Sequence, residues 1–354
     1  MKQKVIFIAH SYHKKTRSYD FIVDYLKNFY EVELLFEEEW ETGKEFNWEG
    51  LNNDYKAVII FQMFPDKSEF LKKITNNNIV FLPMYDHVKK WNFKKWYICK
   101  DIKIVSFSST LDKKLQNWGF NSIYVQYFIE PKEFSPGNED EVFFWQRHTK
   151  ININTLKKIF KNSDVKIHMH KSIDPGQNFI QPTKEDEERF KIEYSQWFDT
   201  KEEMADLIKT KGIYIAPRFL EGIGMSFLEA MAQGKFVIAN NQPTMNEYIK
   251  HGKTGFLCNF KFPKTITKTI TKTIKLPNMK EIQQNAYNYS KSGYEKWLVE
   301  RKNIINLIEQ KPKKNELRLW TKICLPFLFF DIKKIIKFKF GSNASLMLFE
   351  KKII

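Results

Sequence analysis

The sequence predicts an α/β protein of two domains, each built on a doubly wound parallel sheet. Short apolar runs alternate with helical patterns over roughly the first 130 residues, the signature of a parallel sheet wound with helices. The same alternation resumes after residues 131–141 (PKEFSPGNEDE), whose proline, glycine and acid content is that of a linker. A length of 354 residues suits two domains of ordinary size, and 32 phenylalanines and nine tryptophans supply two cores.

Residues 4–9 form the first buried strand, followed by the loop His10-Ser11-Tyr12-His13, whose histidines read as solvated. Residues 20–29 put Phe21, Ile22, Tyr25, Leu26 and Phe29 on one helical face. Strands follow at 32–36, 57–61, 79–82, 102–107 and 123–128, with a helical stretch ending at Trp118-Gly119. The fourth strand runs into Tyr85-Asp86-His87, a loop placed where ligands meet such sheets.

The second half opens with a strand at 142–145 and a basic loop, Gln146-Arg147-His148-Thr149-Lys150. Residues 165–170 set His168 and His170 on one side of a strand. An H-x-H pair can bind metal, but no third ligand lies close in sequence, so satisfied sheet histidines are the expectation.

The most informative stretch is 212–256. An apolar run (Ile213, Ile215) ends at Pro217, then Glu221-Gly222-Ile223-Gly224 forms a flexible turn headed by an acid. Residues 226–233 read as a helix stopped by Gly234, and 235–239 as another buried strand. Such a βαβ unit places ligands at the carboxyl ends of its strands. Ser226 and Glu229 make an S-x-x-E capping box in one account. In the other, Gly222 and Gly224 let the backbone approach a ligand while the helix start favours an anionic group. Glu221 and Glu229, flanking that turn, then suit a ligand that also carries hydroxyl donors, as a nucleotide sugar does.

The run EGIGMSFLEAMAQGKFVIA, with Asn246-Glu247-Tyr248 and HGKTGFL after it, resembles the carboxyl-terminal signature of retaining glycosyltransferases of family four. That signature is E-G-x-G-x-x-x-x-E-A-M-A-x-G-x-P-V-I-A, an acid, then G-x-x-G-x-L; Phe236 stands here where proline is usual. The resemblance implies the GT-B fold, two Rossmann-like domains facing across a cleft. Residues 1–135 would be the acceptor domain and 141–280 the nucleotide-sugar domain, with Phe134-Ser135-Pro136 matching the family's F-x-P crossover. Residues 281–310 would be the helical region that crosses back.

It also implies transfer of a sugar from a nucleoside diphosphate to an acceptor hydroxyl, with retention at the anomeric carbon. Glu229 would bind the ribose, and Glu221 with the amides of Gly222, Ile223, Gly224 and Met225 the sugar hydroxyls. Arg147, Lys150 and the helix start at Ser226 would meet the leaving diphosphate, and His87 would lie near the reacting sugar. The chain departs from the pattern at Gln146, where the family has glycine, and at HSYHKKTRS, which replaces a glycine-rich loop. Those departures favour an alternative, a GT-B pseudoenzyme that partners an active transferase; the intact glutamate pair favours the enzyme.

A formal net charge of +16 favours anionic partners, among them nucleotide sugars and acidic membranes. No recognised nucleic-acid motif is present, which sets nucleic acid aside. Without a D-x-D triplet, a metal-independent reaction is expected, with no cofactor beyond the nucleoside-diphosphate sugar donor. Cys99, Cys258 and Cys324 are too few and too scattered for a disulfide framework or a zinc site, which fits a reducing cytoplasm. The apolar run at 5–9 is too short for a signal peptide.

The repeat KTITKTITKTIK (264–275) aligns Ile266, Ile270 and Ile274 as a surface helix would. Residues 311–354 hold 11 lysines and arginines against three acids. Their block ICLPFLFF falls short of the ~20 residues that span a bilayer. This tail reads either as an interfacial anchor on the anionic inner face of the cytoplasmic membrane or as a helical extension packed on the first domain. The acceptor implied is a glycan or lipid-linked glycan of a bacterial surface polysaccharide.

Overall fold

The structure, a computed structural model, describes residues 2–312 apart from 53, 65–68, 132, 199 and 262–277. The expectations for the 264–275 repeat and for the tail from 313 onward lie outside the described residues.

The first six strands are β1 (Lys4–His10), β2 (Glu31–Glu37), β3 (Ala57–Phe61), β4 (Ile79–Leu82), β5 (Lys103–Ser106) and β6 (Ser122–Tyr124). They form one parallel sheet in the order β2-β1-β3-β4-β5-β6. Every residue of β3 (AVIIF) is buried, as expected for a central strand covered on both faces.

The second sheet holds β7 (Asn138–Trp145), β8 (Lys166–His170), β9 (Glu193–Ser195), β10 (Lys211–Ile215), β11 (Phe236–Asn240) and β12 (Phe256–Cys258). Its order is β12-β11-β10-β7-β8-β9, again all parallel. The chain winds outward in both directions from the β7/β10 pair. At such a switch point the loops after adjacent strands diverge and leave a crevice at their carboxyl ends.

Two strand boundaries differ from the sequence expectation by four residues. β7 begins at Asn138, inside the stretch of linker composition, because its polar start is drawn into the ladder beside β10. Lys211 Nζ lies 2.8 Å from Glu141 Oε2 there. β6 ends at Tyr124 rather than running to 128. Beyond it the apolar residues pack between the halves instead, with Phe128 edge-on to Tyr248 at 5.2 Å.

The halves are fastened at several points. Buried Lys235 donates to the carbonyls of Ser135 and Lys209, and burial lowers its pKa to about 7. Gln283 Nε2 donates to the carbonyls of Pro136 and Gly212, both at 3.0 Å. The region expected as one helical stretch is two helices, Met279–Glu300 and Lys302–Glu309. The second lies on the first sheet's side, where Asn78 Nδ2 donates to Ile308 O at 2.9 Å and Tyr30 to Glu309. Glu247 reaches across to the helix Ser109–Trp118, accepting from Ser108 Oγ (2.8 Å) and the amides of Ser109 (2.8 Å) and Thr110 (3.1 Å). A carboxylate on the free amides of a helix start is favourable both as hydrogen-bond acceptor and as charge.

His13, expected to be solvated, is buried against Ser18 Oγ at 2.6 Å, and burial lowers its pKa to about 4. His168 and His170 each lie 2.9 Å from the hydroxyl of Ser195 on the neighbouring strand, with the Phe143 ring stacked beside them.

Candidate active site

The loop after β10 enters the crevice directly. Asn240 Nδ2, at the end of β11, donates to Phe219 O at 2.8 Å, and Thr244 Oγ1 to Ile223 O at 3.0 Å. These bonds hold the turn 219–224 in place. Gly224 has φ +88, and a Cβ there would lie 2.0 Å from Cε1 of Phe227, so only glycine fits. Gly222 is required for a different reason. A Cβ on it would come within 2.8 Å of Met84 Cβ and 3.0 Å of Asp86 Oδ1, on the loop after β4 of the opposite sheet.

The helix that follows spans Met225–Ala232 with Gly224 as its N-cap, and no side chain caps it. Ser226 is therefore inside the first turn, and the Ser226/Glu229 capping box does not form. The left-handed glycine occupies the cap position two residues before the hydroxyl could take it. Glu229 falls on the second turn, half-buried. Its charge is felt by Tyr127 on the first half and by Tyr214 on β10.

Glu221 is 5% exposed and its Oε1 is buried without a partner. Burial raises its pKa; Arg218 and Arg147 oppose that shift, and the charges of Asp86 and Asp174 add to it. Those four residues are its surroundings. Arg147, on the loop after β7, stacks over Trp145 at 4.5 Å. Its Nε and Nη2 meet Oδ1 of Asp174 at 2.9 and 2.8 Å, while Arg218 Nη2 bonds the other oxygen of Asp174. One carboxylate thus holds two guanidinium groups side by side. Burial would lower the pKa of Arg218, but Glu221, Asp174 and Asp86 outweigh it and the shift is upward. Asp86 completes the set from the opposite half, its Oδ2 3.7 Å from Arg218 Nη1.

Gln146 explains itself in this setting. Its fully buried side chain donates to Asn178 O at 3.2 Å, and Thr149 Oγ1 accepts from the amide of Asn178 at 2.8 Å. The loop after β8, which carries Asp174, is tied in this way to the loop that carries Arg147. The departure from glycine fastens the arginine rather than removing it.

Glu221, Gly222, Ile223, Gly224, Met225, Ser226 and Arg147 are thus gathered around one crevice, with Glu229 one helical turn farther on. Lys150 is exposed on the loop beyond Arg147, and among the described residues it makes no ion pair. His87 is exposed as well, its ring 6.3 Å from that of Trp91 and its charge felt by His10; Asp86 reaches the cluster in its place. Asp86 lies in the Tyr85-Asp86-His87 loop expected to meet a ligand, though its histidine was the expected site residue; Asp174 and Arg218 were not singled out in the sequence. Among the described residues no group of three side chains could hold a metal ion, and no helix is long and apolar enough to cross a membrane.

Residues 177–292 match the family model described as glycosyl transferases group 1. That segment contains Arg218, Glu221 and Glu229 but neither Arg147 nor Asp86. A search of curated proteins finds no match. Among solved structures, a sucrose-phosphate synthase from Thermosynechococcus elongatus is similar at 11% identity and TM-score 0.64, covering 86% of this chain and 99% of that one. HepE from Anabaena, solved in complex with UDP and glucose, is similar at 12% identity and TM-score 0.62, covering 87% and 100%. A glycosyltransferase from Rickettsia africae is similar at 16% identity and TM-score 0.61, covering 88% and 100%. With two parallel six-stranded sheets, the fold is GT-B.

Proposed function

We propose that the chain is a glycosyltransferase that moves a sugar from a nucleoside-diphosphate donor to a hydroxyl of a glycan or lipid-linked acceptor, with retention at the anomeric carbon. The observation that carries this is the buried, unpartnered Oε1 of Glu221 beside a glycine turn, an uncapped helix start and two arginines at the sheet's switch point. Leaving a buried carboxylate oxygen unbonded is costly, and a ligand hydroxyl would remove that cost. The match of 177–292 to group 1 glycosyl transferases and the UDP and glucose bound by HepE support the same reading.

In the reaction the bond from the anomeric carbon to the diphosphate oxygen breaks and a bond to the acceptor oxygen forms on the same face. The acceptor's proton passes to the departing diphosphate. Arg147 and the amides at the start of the Met225–Ala232 helix stabilise the charge that develops there, which is where preorganised donors contribute most. Glu229 accepts from the ribose hydroxyls. The basic composition of residues 311–354 suits an acceptor held at an anionic membrane, as in synthesis of a bacterial surface polysaccharide.

Hydrolysis of the donor by the isolated protein tests the proposal against a partner-only role, since a pseudoenzyme would release no nucleoside diphosphate. With Arg147 and a helix start meeting the phosphates, activity should survive EDTA; a strict need for manganese or magnesium would refute the metal-free step. Glu229→Ala should weaken nucleotide binding while leaving the fold largely intact, because no side chain caps the Met225–Ala232 helix. Normal binding in that variant would take Glu229 out of the ribose site.

A further inference from the structure

The cluster contains several bonds that are not made. Arg218 Nη1 lies 3.7 Å from Asp86 Oδ2 and 3.8 Å from Glu221 Oε2, beyond hydrogen-bond reach of either. Arg218 Nε and Glu221 Oε1 are buried without partners. A sugar hydroxyl both donates and accepts, so one lying beside such a pair satisfies the carboxylate and the guanidinium together. Asp86 is brought to this point from the opposite half by the absence of a side chain at Gly222.

Resting on the donor-site reading above, we infer that Asp86 and Arg218 form, with Glu221, the subsite for the donor's sugar hydroxyls, and that this subsite takes a neutral hexose. Asp86 is the specificity-determining residue. Arg218 is already bonded to Asp174 and faces two further carboxylates, so a uronic acid would bring another anion to one guanidinium already flanked by three. A neutral hexose adds only hydroxyls. Because Asp86 and Glu221 come from opposite sheets, the sugar also bridges the two halves, which the nucleotide alone need not do.

The test is calorimetric binding of the full chain to UDP, UDP-glucose and UDP-glucuronate, and to GDP and GDP-mannose. Wild-type protein should bind a neutral hexose ester more tightly than its bare diphosphate, and the uronate less tightly than the hexose. Asp86→Asn keeps the oxygen that accepts from the His87 amide but loses the charge. It should bind the diphosphate as before and lose about tenfold or more of the hexose-dependent gain. Arg218→Lys, which keeps the charge and loses the planar fork, should show the same selective loss. A full hexose gain in both variants would overturn the subsite, and a preference for the uronate would overturn its neutral character. If wild-type protein binds none of the diphosphates, the donor-site reading itself falls and takes this one with it.

Discussion

Replacing Arg147 with alanine is expected to lower turnover by about 2–4 kcal/mol of transition-state stabilisation, roughly thirty- to a thousandfold. The effect should be large because the guanidinium is held rather than free. Trp145 supports its face at 4.5 Å and Asp174 fixes two of its nitrogens at 2.9 and 2.8 Å. A donor fixed before the reaction costs no reorganisation when charge develops on the diphosphate. Stability should change little by comparison, since Asp174 keeps Arg218 as its partner. Steady-state kinetics with the donor identified by binding, together with a melting curve, check both halves of this. Unchanged turnover would remove Arg147 from the site, and a collapse in melting temperature would make it a structural residue.

Gly224→Ala should destabilise the protein by about 3 kcal/mol or more. Two costs coincide at this position. The backbone sits at φ +88, where a side chain is strained, and the new methyl would lie 2.0 Å from the ring of Phe227. That ring is fully buried and stands edge-on to Tyr248 at 5.8 Å, so it has no room to withdraw. Relief would require the turn 219–224 to shift, which displaces Glu221 and the helix start together. Denaturant unfolding of the purified variant measures the loss, and donor binding should fall with it. A variant that melts within about two degrees of wild type would show that the turn has a second conformation open to it.

Much of the architecture was legible because it depends on local periodicity. Runs such as AVIIF at 57–61 and IVFL at 79–82 are apolar at every position, the pattern of strands buried on both faces, and the structure has strands at those residues. The order of acid, glycine turn, helix and strand over 221–239 was equally plain, and the crevice is built around it. Errors arose where a local motif competed with a neighbour's geometry. Ser226 and Glu229 have the spacing of a capping box, but Gly224 in the left-handed region caps the helix two residues earlier. His13 reads as a loop histidine, but its ring packs edge-on to Phe61 at 5.4 Å and meets Ser18 Oγ.

That the charged neighbours of Glu221 share one site belongs to tertiary structure alone. Asp86, Arg147, Asp174 and Arg218 follow four different strands, and nothing in the spacing of one announces another. Periodicity and turn chemistry act over a few residues, so the chain itself determines its strands, its glycine turn and its helix. Which loops then share a crevice depends on strand order. The placement of β10 beside β7, with β8 next along and β4 facing from the other sheet, converts four separate charged loops into one site.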